Sequence, residues 1–74
     1  MDAFEEAYQT YRDVLRQIAV HDPSPAMADA AGVLLDGPSQ AALGVLVAGA
    51  FDSPYGRRLL DALAAMALFK PEAA

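Results

Sequence analysis

Apolar residues return at threes and fours along most of this chain, and the regularity stops at three short polar turns. The turns are His21-Asp22-Pro23-Ser24-Pro25, Asp36-Gly37-Pro38-Ser39 and Asp52-Ser53-Pro54, each combining aspartate, serine and proline. Serine and aspartate oxygens cap the free amides of a helix start, and proline presets φ at the first helical position. The pattern therefore predicts four helices, at about 2–20, 25–35, 39–51 and 54–69, with connections short enough for antiparallel neighbours. The predicted fold is an all-α, compact antiparallel bundle in one domain, 1–74, with 71–74 as a frayed tail.

The four stripes differ in character. In the first segment Phe4, Ala7, Tyr8, Tyr11, Leu15, Ile18 and Ala19 share a face, opposite Glu6, Gln9, Arg12, Asp13 and Arg16. Asp2 and Glu5 stand at capping-box spacing at its start. In the second, Ser24 caps, Pro25 leads, and Met27, Ala30, Ala31 and Leu34 form the stripe, with Val33 and Leu35 off it. Gly37 is expected as a left-handed C-cap. In the fourth, Ser53 and Pro54 open a helix whose stripe is Leu59, Leu60, Leu63, Met66 and Ala67, closed by Lys70-Pro71.

The third segment has no stripe. Eleven residues from Ala41 to Phe51 carry no polar side chain, and Gly44 and Gly49 lie among them. A helix apolar all round is expected to be buried, at the centre of the fold. Each glycine costs roughly 0.5–1 kcal/mol against alanine there, so close approach of a second backbone is the expected reason for them. A short buried strand at 45–47 is the competing reading, but a lone strand would have no partner.

Charge narrows the partners. Ten acidic residues against five basic ones leave a net charge of −5, with the basic ones at Arg12, Arg16, Arg57, Arg58 and Lys70. Nucleic-acid binders need a basic face to neutralise several phosphates, so a direct nucleic-acid role is not expected. Between Gln17 and Gly56 there is no lysine or arginine, while Asp22, Asp29, Asp36 and Asp52 all fall there, which favours a basic partner over an acidic one. The start lacks the pattern of a secretory signal and the longest apolar run is far short of the roughly 20 residues of a membrane span, so a cytoplasmic chain with no membrane contact is expected. The absence of cysteine agrees with a reducing compartment.

The residues offer little chemistry. His21 has no nucleophile or orienting acid at hand, because Ser24, Ser39 and Ser53 occupy cap positions and Asp22 is a turn residue. Adjacent Glu5 and Glu6 diverge around a helix and form no acid/base pair. The five glycines match no phosphate-cradling loop, and one histidine without cysteine cannot cage a metal. No catalytic residue, cofactor, metal or small-molecule substrate is implied. Arg57 and Arg58 sit in a helix start, where positive charge opposes the dipole; Asp61 is the expected intramolecular partner, and an anionic group on another protein the alternative. Tyr8 and Tyr11 are expected at the core or its edge.

Segments two and three hold more apolar surface than a bundle of this size covers, and contiguous exposed apolar surface commonly marks a binding site. The expected function is a non-enzymatic protein-interaction module, self-associating as a homodimer or docking a partner protein. Its expected interface comprises Val33, Leu35, Leu43, Gly44, Val47, Ala48 and Phe51. An alternative from another class is an acidic inhibitor, such as a phage-type antagonist of a bacterial defence complex, that occludes a basic nucleic-acid-binding site through Asp22, Asp29 and Asp36.

Overall fold

A computed structural model describes residues 2–69 and resolves four helices: α1 Ala3–His21, α2 Pro25–Asp36, α3 Gln40–Gly49 and α4 Gly56–Phe69. One 3₁₀ turn, Ala50–Asp52, continues from α3. The chain is an all-α bundle of four helices, and 45–47 is helical, so the strand alternative falls. The expected closure at Lys70-Pro71, and the tail at 71–74, lie outside the described residues.

The helix starts follow from side-chain oxygens replacing missing carbonyl acceptors. Asp2 accepts from the Phe4 amide at 3.0 Å, with no return bond from Glu5 among the described contacts. Ser24 accepts from the Met27 amide at 3.4 Å behind Pro25, and Ser39 from the Ala42 amide at 3.2 Å. The fourth start differs from expectation. Ser53 accepts from the Tyr55 amide at 3.1 Å, and its carbonyl accepts from Gly56 N–H, so Ser53-Pro54-Tyr55-Gly56 closes as a turn and α4 begins at Gly56. Proline presets the second position of such a turn as readily as the first position of a helix, which is why the two look alike in sequence. Gly37 also differs: its φ of 171° is extended rather than left-handed, while its N–H still donates to the Val33 carbonyl.

A second role of Ser53 ties the bundle's turns together. Its hydroxyl donates to Asp22 Oδ2 at 2.5 Å, while Asp22 Oδ1 accepts from the Ser24 amide at 2.9 Å. One half-buried carboxylate thus pins the α1–α2 turn to the α3–α4 turn across 31 positions.

The core is built mainly on α1. Val14, Leu15 and Ile18 are fully buried, and Met27, Ala30 and Ala31 of α2, Ala42 and Leu46 of α3, Ala50 of the 3₁₀ turn and Leu59 of α4 close around them. Val14, outside the expected stripe, is buried, whereas Tyr8 within it is exposed, so the buried face is rotated toward Val14. α1 packs along both α2 and α4, whereas α3 leans on α2 and touches α4 only slightly.

This arrangement corrects the central position expected for the third helix. Of α3 only Ala42 and Leu46 are buried; Ala41, Gly44, Val45, Val47 and Ala48 are exposed. Hydrophobicity without periodicity assigns no inward direction, and the amphipathic α1 takes the middle instead. The glycines divide accordingly. A side chain at Gly49 would come within 2.6 Å of the Met27 sulfur, so Gly49 serves packing of α3 on α2, whereas Gly44 faces open space.

Candidate interaction surface

The outward side of α3 is an uncharged surface that no other described residue covers. On a helix of 100° per residue, Ala42 and Leu46 define the inward direction, and Gln40, Gly44, Val47 and Phe51, spaced four, three and four apart, lie opposite. Phe51 on the 3₁₀ turn is 85% exposed and Val47 is 40% exposed. Nothing charged lies between Asp36 and Asp52.

Depressions flank this side, one of them where Phe51 meets Arg57, Leu60 and Asp61. Toward α2, Val45 at 42% exposure and Val33 at 50% border a shallow groove with Ala26, Asp29, Ala30 and Ala41. Toward α1, a cleft of about 620 Å³ is lined by Tyr8, Tyr11 and Arg12 of α1, Leu34 and Leu35 of α2, Leu43 of α3 and the Asp36–Gln40 segment. Its size falls in the range of ligand pockets.

The cleft's aromatic wall arises from helical spacing on α1. Phe4 stacks on Tyr8 with ring centroids 6.4 Å apart, Tyr8 meets Tyr11 at 6.2 Å, and the Arg12 guanidinium lies 5.9 Å from the Tyr8 ring centre. Cations attract the negative face of an aromatic ring at such distances. Among the described residues Arg12 has no carboxylate within ion-pairing distance, although Asp36 stands at the same cleft.

Burial pushes the Tyr11 hydroxyl above its ordinary pKa and the neighbouring Tyr8 adds to this, while Arg12 opposes both. A raised folded-state pKa favours the protonated folded protein, so the associated stability is intact below about pH 10 and is lost as pH rises through the Tyr11 pKa. Absorbance at 295 nm during alkaline titration is expected to show a late component that Tyr11→Phe removes. Ionisation of Tyr11 in step with the other tyrosines would contradict its burial.

The structure distributes the sequence-derived interface residues in two groups. Val33, Gly44, Val47, Ala48 and Phe51 are open to solvent; Leu35 and Leu43 are half-buried, Leu35 against the core, and both line the cleft. Val45, Tyr8, Tyr11 and Arg12 belong to the same surroundings and were not among them. The Phe4, Tyr8, Tyr11 spacing was visible, but it reads equally as core.

Of the charged candidates, Asp29 borders the groove, Asp36 the cleft, and Arg57 a depression beside Phe51, whereas Asp22 and Arg58 are engaged within the fold. Arg57 Nε approaches Asp61 at 3.9 Å with both side chains largely exposed, a pair contributing little in water. Arg58 does not pair with Asp61 but donates to Gln17 Oε1 at 2.7 Å, linking α4 to α1. Asp29 and Asp36 are exposed, whereas both oxygens of Asp22 already accept hydrogen bonds from the turns. Among the described residues no helix is long and apolar enough to cross a membrane.

Fold and surface together define a four-helix all-α protein with an open apolar helix face. Searches of protein-family models, curated proteins and solved structures gave no match for this chain.

Proposed function

We propose that this protein is a non-enzymatic interaction module that docks a protein surface on the outward side of α3. The observation that carries this reading is the uncharged face of Gly44, Val47, Ala48 and Phe51, with an aromatic side chain 85% exposed at its end. Leaving a phenylalanine in water forfeits roughly 1.5–3 kcal/mol of burial, and aromatic side chains are frequent anchors of protein interfaces. The acidic-inhibitor reading draws less support, because Asp22 is engaged within the fold and only Asp29 and Asp36 of its three residues are free.

Phe51→Asp separates folding from docking. Its thermal midpoint at low protein concentration is expected to stay near that of the unaltered chain, because Phe51 is absent from the core. Complexes recovered by gentle purification, with a second copy or another protein, are expected to vanish. A variant that keeps every such complex refutes docking through this face.

A further inference from the structure

We propose that the docked surface is a second copy of this chain, in a two-fold dimer whose α3 helices run antiparallel and insert Phe51 of each copy into the Tyr8/Tyr11/Leu43 cleft of the other. This inference rests on the interaction-module reading above and names its partner, register and contacts.

The surface is self-complementary at the required spacing. Gln40, Gly44, Val47 and Phe51 form a four-three-four seam, the repeat by which one helix packs along another. A two-fold axis midway between Gly44 and Val47 sets each Gly44 against the other copy's Val47 and each Phe51 against the other copy's Gln40. Gln40 and Leu43 line the cleft. An isologous contact needs a knob and a hole on one patch, exchanged by a two-fold axis midway between them. Here they stand eleven residues apart, about 16 Å along a helix.

Gly44 acquires a function in this arrangement. A side chain there would meet nothing within 4 Å in the single copy, so the glycine is not required by the fold. Against a second helix, the missing Cβ makes room for the facing Val47 and lets the backbones approach closely.

Charge selects the same contact. Two copies each carrying −5 repel, and contact through an uncharged face leaves most of their carboxylates in water, where that repulsion is screened. Docking also brings the Asp52 carboxylate, exposed beside Phe51, toward Arg12 at the rim of the other copy's cleft. Arg12 has no carboxylate partner among the described residues of its own chain.

Sedimentation equilibrium and cysteine cross-linking test the dimer and its register. The unaltered chain is expected to dimerise, Phe51→Ala to weaken the dimer at least about thirtyfold as an anchor does, and Arg12→Asp to weaken it about threefold, with Asp52→Arg in the same chain restoring it. The chain lacks cysteine, so introduced thiols report without background. A mixture of Gly44→Cys and Val47→Cys chains is expected to form mainly the 44–47 disulfide. Disulfides only between identical positions would overturn the antiparallel register, and dimerisation undiminished by Phe51→Ala would overturn the insertion. A chain monomeric at every accessible concentration overturns the dimer itself; if Phe51→Asp still abolishes a complex with another protein, the interaction-module reading stands without it.

Discussion

Gly56→Ala is expected to remove most of the protein's stability. Gly56 is the buried first residue of α4, and a Cβ built on it would lie 1.6 Å from the Ala50 carbonyl oxygen and 2.5 Å from its carbon. Both are backbone atoms of the 3₁₀ turn, held in place because Ser53 N–H donates to that same carbonyl and Gly56 N–H donates to Ser53. No rotamer change relieves the clash. Either α4 or the turn must move, and α4 carries Leu59 into the core. Overpacking ordinarily costs about 1–3 kcal/mol, and a rigid backbone obstacle belongs at or above the top of that range. A single core this small rarely provides more than about 3–5 kcal/mol, so little would remain. Thermal unfolding followed by circular dichroism measures the loss. A midpoint within about 2 °C of the parent would show that the crossing of turn and helix is looser than described.

The second large effect distinguishes two adjacent residues. Leu46→Asp is expected to unfold the chain, whereas Val47→Asp leaves its stability nearly unchanged. Leu46 is fully buried between α2 and the rest of the core, with no polar group provided for a carboxylate. Losing the leucine costs roughly 2–5 kcal/mol, and desolvating an unpaired charge adds several more. Val47 points outward, where substitutions ordinarily stay within about 0.5 kcal/mol. Urea unfolding at low concentration compares the two. Equal losses would mean that α3 is wrapped on both sides.

Much of this fold is legible in the sequence because its punctuation is chemically explicit. Ser24-Pro25 and Ser39 mark helix starts that the structure places where expected. Ser53-Pro54 misleads by two residues because the same pair begins a turn, in which the Ser53 hydroxyl also bonds to Asp22, 31 positions away. The orientation of α3 was not legible. An uninterrupted apolar run has no direction, and the direction comes from which neighbours reach it, here Met27 against Gly49. The cleft was hidden for a related reason. Tyr8 and Tyr11 sit at core-like spacing on α1, and only the rotation that buries Val14 leaves Tyr8 at the surface.

Self-docking through the outward side of α3 is tested most directly by methyl NMR spectra recorded through a dilution series of the unaltered chain. Methyl signals of Leu43, Val45 and Val47 are expected to shift together with concentration, while those of Val14, Ile18 and Leu59, enclosed in each copy, stay fixed. Shifts confined to the outer sides of α1 and α4, or none up to millimolar protein, would contradict a dimer built on this face.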